Sequence, residues 1–302
     1  MLLIPMVFTI KHTHMKKLYF LLAFLMLSNL CAYASRVDTI QVPSAVMNKT
    51  FKAAIVFPDS YAKSKKDFPV LYLLHGGFGH FDDWLLKTPD KMLVRNLADQ
   101  YNTIIVMPEG EIFSYYIDSP VDPNSKFETY FIKEVIPFID SKYRTVKDKK
   151  GRLITGLSMG GYGSLYLSTR HPDLFVAAGT MSGALDPNMT TWNLTPERFN
   201  GLSKFLEKIL GPMTPDSYLP YSIVNMADQI RRNGMPLVMD IGVDDFLLEP
   251  NRELHRRLVY NHTAHDYTER PGGHTWDFWQ SALPSQLLFF SKVLKVNNTT
   301  VE

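Results

Sequence analysis

Chemistry is most legible in this sequence at Gly156-Leu157-Ser158-Met159-Gly160-Gly161. The segment follows a β-rich run, Arg152–Gly156, and precedes a helical stretch near 160–171. That is the strand–turn–helix setting in which G-x-S-x-G exposes a serine hydroxyl. Glycines at 156 and 160 keep a Cβ out of a turn that must close on its neighbours. The helix that follows aims its N-terminus at the hydroxyl, where developing negative charge is stabilised. Chance Gly-x-Ser-x-Gly matches are common, but this setting with its extra glycine is not. Ser158 is therefore expected to be a nucleophile.

A serine hydroxyl is a weak nucleophile unless a base takes its proton. After such an elbow the partners follow in the order acid, then histidine, each just past a strand. The run Leu237–Ile241 leads into Gly242-Val243-Asp244-Asp245-Phe246, and His265–Glu269 leads into Pro271-Gly272-Gly273-His274. His274, on a glycine-rich loop, is expected to act as general base and then as general acid. Asp244 and Asp245 both qualify as the acid; neighbours on a loop point in different directions, so only one can orient the imidazole, and Asp245 is preferred. Asp240 falls inside the strand and reads as a structural acceptor. The remaining histidines show no metal-ligand spacing with a carboxylate, so neither metal nor cofactor is expected.

Stabilising an oxyanion takes two backbone N–H groups. One is expected from Met159, directly after the nucleophile. The other is expected from Gly77, in the loop Leu74-His75-Gly76-Gly77-Phe78-Gly79 after the third buried run. His75 is expected to brace that loop rather than to exchange protons.

The elements that must hold these residues alternate. Continuously apolar runs such as Val70–Leu74, and Ile104–Met107 within a strand expected at Thr103–Met107, suit strands buried on both faces. Further strands are expected at Phe51–Phe57, Arg152–Gly156, Leu174–Met181 and Pro236–Ile241. Helical patterns lie near 90–101, 126–142, 160–171, 249–261 and 276–294. This alternation predicts an α/β fold, a mostly parallel sheet with helices on both faces. Residues 37–57 lack an intervening helix and are expected to form an antiparallel edge. Residues 186–235, rich in Pro, Asn, Met and Thr, read as an insertion over the active site with one amphipathic helix near 198–210.

Of the 302 residues, 45% are hydrophobic and 21% charged, which suits one large domain. Three of the 32 basic residues (Lys11, Lys16, Lys17) lie in 1–34, which holds no acid, leaving 29 basic against 30 acidic. No polyanion-binding balance remains, and nucleic acid is not an expected partner. Met15-Lys16-Lys17, the apolar run Leu18–Leu27 and Ala32-Tyr33-Ala34 have the three parts of a secretory signal. The apolar run is short for a bilayer span, so removal of 1–34 without stable membrane insertion is expected. Residues 1–14 are an extended n-region or precede a start at Met15. The sole cysteine, Cys31, falls in this leader, with the poorly fitting Leu30 before it for lipidation. A mature chain 35–302 without thiols and a periplasmic or secreted location follow as expectations.

Together these motifs resemble the esterase D superfamily: S-formylglutathione hydrolases, feruloyl and acetylxylan esterases, and mycolyltransferases. The matching stretches are Phe68–Gly77, Gly156–Gly163, His171-Pro172-Asp173-Leu174-Phe175, Ser182–Asp186 and Pro271–Asp277. The resemblance spans about 37–293 and implies the α/β-hydrolase fold. It implies that the acid is Asp245, in Gly-x-x-Asp-Phe, and that Ser114–Pro120, with Tyr116 and Asp118, lines the cleft. Trp84 and Trp276 stand where aromatic residues shape that cleft. The expected activity is hydrolysis of a small-molecule or polysaccharide ester, a feruloyl or acetyl ester of a carbohydrate. The alternatives are an S-formylglutathione hydrolase-like thioesterase, an acyltransferase and a non-catalytic carbohydrate-binding protein.

Overall fold

Eight strands among the described residues pair into one sheet. They are β1 (Arg36–Ser44), β2 (Lys49–Phe57), β3 (Val70–Leu74), β4 (Ile104–Pro108), β5 (Arg152–Gly156), β6 (Ala177–Met181), β7 (Leu237–Gly242) and β8 (Asp266–Arg270). Their order is β1-β2-β4-β3-β5-β6-β7-β8. β1 pairs antiparallel with β2 and β2 with β4; every other pairing is parallel. The expected antiparallel edge and parallel centre are therefore both present. The computed structural model describes residues 36–301 apart from Pro215, within the compact unit Ser35–Glu302. The expected leader, Cys31 and the boundary after residue 34 lie outside the described residues.

The central strands are apolar throughout because both faces are covered. In β3, Val70, Tyr72 and Leu74 enter one core while Leu71 and Leu73 enter the other. β4 divides likewise, Ile104 and Val106 from Ile105 and Met107. That period of two is the strand's own, and it needs apolar residues at every position once both faces are dry. One face carries a helix over 127–142 (α2), α3 (Met159–Arg170), α4 (Pro196–Leu210), α5 (Ala227–Asn233) and α6 (Leu248–Tyr260); the other carries α1 (Leu93–Gln100) and α7 (Trp276–Val296). The edge strand β8 has no fully buried residue.

β6 starts at Ala177, not at Leu174. Leu174–Val176 is a lead-in whose Val176 N–H donates to Arg152 O and whose Leu174 O accepts from Arg152 Nη1. The 182–236 excursion between β6 and β7 contains α4 and α5. Thr195 caps α4 by accepting from Arg198 N–H, with Pro196 at its first position and Gly211 closing it at φ 83°.

Candidate active site

Four loops at the carboxyl ends of β3, β5, β7 and β8 converge, as expected for parallel sheets of this kind. Between β5 and α3, Ser158 adopts φ 54°, ψ −117°. A non-glycine residue there stores about 1–3 kcal/mol of strain and persists only where its surroundings dictate it. Here they do. Ser158 N–H donates to Met181 O of β6 at 2.9 Å, while Ser158 O accepts from Tyr162 N–H at 3.0 Å and Ala184 N–H at 3.2 Å. Gly160 is required by contact: a Cβ on it would stand 2.5 Å from His75 O and 2.6 Å from Leu74 O.

His274 leaves β8 on the loop before α7. Its Nε2 accepts from Ser158 Oγ at 2.9 Å, and its Nδ1–H donates to Asp245 Oδ2 at 2.9 Å, with Oδ1 at 3.1 Å. Asp245 is 4% exposed and also accepts Leu247 N–H on Oδ1 at 2.9 Å. Asp244 faces solvent, and its backbone N–H ties the two loops by donating to Gly272 O at 2.9 Å. The carboxylate facing the imidazole is thus Asp245. Asp240 lies beneath, accepting from Gln286 Nε2 at 2.8 Å and Arg270 Nη2 at 3.2 Å. Burial holds its carboxyl above the usual range.

Met159 N–H is at the first position of α3, where no intrahelical acceptor exists. The facing loop closes on it: a Cβ on Gly76 would stand 3.3 Å from Ser158 Cβ. Gly77 is the next residue, with Phe113 packed 3.3 Å from where its Cβ would be. His75, 1% exposed, holds this loop from below. Its Nδ1–H donates to Gly76 O and its Nε2 accepts Gly110 N–H, both at 2.8 Å. With Nε2 engaged as an acceptor, the nearby Glu109 carboxylate (3.3 Å) is a neighbour rather than an ion-pair partner. Glu109 is itself held by Phe81 and Glu111 N–H.

Three of the expected cleft residues are placed elsewhere. Trp84, 1% exposed, donates from Nε1 to Leu74 O and supports β3 from behind. Tyr116, also 1% exposed, packs on Gly110 and Gly163 and donates its hydroxyl hydrogen to His75 O at 3.2 Å. Asp118 accepts from Thr129 N–H and Oγ1 at the start of α2. Trp276 is half-buried between Trp84 and Trp279. The aromatic residues that do meet the imidazole are Phe246, 4.6 Å from it, and Trp279, edge-on at 4.9 Å. Phe246 stood next to the acid in the sequence; Trp279, inside an apolar helix, gave no signal. From the 182–236 excursion, Trp192 packs on Phe246, and the Arg198 guanidinium lies 4.7 Å from the same ring.

Chemically, a hydroxyl hydrogen-bonded to an imidazole that is oriented by a buried carboxylate, at the N-terminus of a helix, suits acyl transfer. The family model "Esterase", described as "Putative esterase", matches residues 44–290. An acetyl esterase of Caldicellulosiruptor saccharolyticus is 28% identical over 82% of this chain and 94% of that protein. A mycolyltransferase of Mycobacterium tuberculosis (Ag85A) is 35% identical over 50% of this chain and 44% of its own. Among solved structures, a ferulic acid esterase superposes with TM-score 0.72 at 30% identity, covering 86% of this chain and 99% of its own. An S-formylglutathione hydrolase of Staphylococcus aureus shares the fold at TM-score 0.68 and 17% identity, over 85% of this chain and 98% of its own. With its eight-stranded α/β-hydrolase sheet, the chain belongs to the esterase family, within the esterase D-like superfamily of serine carboxylic-ester hydrolases.

Proposed function

We propose that the chain is an exported esterase that removes an acetyl or feruloyl group from a carbohydrate through an acyl-enzyme on Ser158. The observation that carries the reading is the hydrogen-bonded line Ser158–His274–Asp245. Ser158 Oγ attacks the ester carbonyl as His274 Nε2 takes its proton, and Asp245 stabilises the resulting imidazolium. The oxyanion is held by Met159 and Gly77 N–H. His274 returns the proton to the departing alcohol, and water repeats the sequence to free the acid. The acetyl esterase and ferulic acid esterase similarities support the acyl group. The pattern from Met15 to Ala34 supports export.

The test is a panel of p-nitrophenyl acetate, methyl ferulate, an acetylated xylooligosaccharide and S-formylglutathione, run with the mature chain and with Ser158→Ala. Activity on the carbohydrate or feruloyl ester, lost in the variant, is the expected result. Preference for S-formylglutathione would refute the substrate, and activity retained in Ser158→Ala would refute the mechanism. The Ag85A similarity favours a second reading, transfer of the acyl group to a sugar hydroxyl. Acylated trehalose formed from added trehalose would establish it.

A further inference from the structure

One buried amide ties together the strands that carry the reacting groups. Gln286 is fully buried and belongs to α7. Its Nε2 donates to Thr180 O of β6 at 2.9 Å and to Asp240 Oδ2 of β7 at 2.8 Å, while its Oε1 accepts from Thr155 Oγ1 of β5. Because Thr180 O can only accept, the amide has one orientation, and both of its hydrogens are used. Asp240 extends the connection to β8 by accepting from Arg270 Nη2 at 3.2 Å. The amide can enter because position 179 is glycine: a Cβ there would stand 2.5 Å from Gln286 Oε1.

Each of those strands leads into the site. Three residues after Thr155 comes Ser158, whose N–H is held by the carbonyl of Met181, next after Thr180. Five residues after Asp240 comes Asp245, and four after Arg270 comes His274. Helix α7 itself begins two residues past His274, with Thr275 as its cap. A helix that slid or turned on the sheet would therefore carry the imidazole with it. Leu283, Leu287 and Phe290 hold α7 against the sheet, but apolar burial is not directional and fixes register weakly. Hydrogen bonds to fixed partners set it far more closely.

We infer that Gln286 is a positioning residue for the reaction: its amide sets the register of α7 on β5, β6 and β7, and so the approach of His274 Nε2 to Ser158 Oγ. The inference rests on the Ser158–His274–Asp245 reading above. Gln286 makes no hydrogen bond to any of those three residues and acts only through the elements that deliver them.

Gln286→Leu removes all three hydrogen bonds; Thr155→Val removes only the one to β5, and Thr155→Ser keeps it. For each variant, kcat and KM on p-nitrophenyl acetate are measured well below its Tm, and the downfield proton resonance of His274 Nδ1–H is read in the same samples. A misplacement of about 1 Å costs about 10²-fold in rate, so kcat in Gln286→Leu is expected to fall about 30- to 100-fold with KM within about threefold. Thr155→Val is expected to lose about fivefold in kcat and Thr155→Ser to stay within about twofold of wild type, the resonance shifting or broadening in step. Should Gln286→Leu not fold, the Thr155 pair decides. Wild-type kcat in folded Gln286→Leu or in Thr155→Val, whatever the Tm, would overturn the proposal. So would Thr155→Ser as slow as Thr155→Val, or a lowered kcat with the resonance unmoved. Failure of the triad reading would register separately, as ester hydrolysis that persists in Ser158→Ala.

Discussion

Replacing Asp245 by asparagine changes almost no volume and yet should remove nearly all turnover. The carboxylate does two jobs: Oδ1 accepts Leu247 N–H at 2.9 Å, and Oδ2 accepts His274 Nδ1–H at 2.9 Å. In the amide, the oxygen must stay on Leu247, because that N–H is buried and orphaning it costs about 1–3 kcal/mol. The amide NH₂ then faces Nδ1, which can only accept. The imidazole is forced into the tautomer with its hydrogen on Nε2, aimed at Ser158 Oγ, and no lone pair remains to take the serine proton. A wrong tautomer in a triad lowers kcat by about 10⁴, equivalent to about 5 kcal/mol in the barrier. KM on a small ester should move less than about threefold, since Asp245 touches no substrate. The assay is steady-state hydrolysis of p-nitrophenyl acetate by the wild type, Asp245→Asn and Asp244→Asn. Because Asp244 faces solvent, its variant should stay within about twofold of wild type. If Asp245→Asn kept a tenth of wild-type kcat, or if Asp244→Asn lost more, the assigned orientation of His274 would be wrong.

Three further outcomes follow from the geometry. Gly160→Ala drives a Cβ to 2.5 Å from the His75 carbonyl oxygen, where only backbone can give way; a loss of about 1–3 kcal/mol should appear as a Tm lower by about 3–10 °C in calorimetry, together with reduced kcat. Phe246→Ala frees one face of the His274 ring, so kcat on p-nitrophenyl acetate should fall about tenfold, with Phe246→Leu restoring most of it. His255 donates or accepts at 2.8 Å to His265 and stacks on Tyr267. Burial, then the neighbouring His265, hold its pKa below the ordinary value, against the opposing pull of Glu269. The folded chain therefore takes up this proton less readily than the unfolded one. Its contribution to stability is complete above about pH 6.5 and is lost as pH falls through the lowered value. Thermal melts between pH 7.5 and 5 should decline less steeply in His255→Gln than in wild type.

What the sequence alone determined here was local or repetitive. Strands buried on both faces must be apolar at every position, so β3 and β4 announced themselves. The elbow needs small residues at fixed spacing around Ser158, so its turn was legible before any partner was known. The chain order of serine, acid and histidine followed from where those loops must leave parallel strands. Choosing between Asp244 and Asp245 from the residues alone was another matter, because their sequence settings are almost the same; only the fold buries one against His274 and turns the other to water. The roles of the aromatic residues were decided the same way. Trp84 and Tyr116 looked like cleft residues by position, but their polar tips satisfy backbone carbonyls at Leu74 and His75, which places them behind the site. Phe246 and Trp279 meet the imidazole because the loop after β7 and the helix α7 deliver them to it. Such contacts join residues far apart in the chain, and side-chain type does not encode which of several rings will arrive; the packing of the sheet and its helices does.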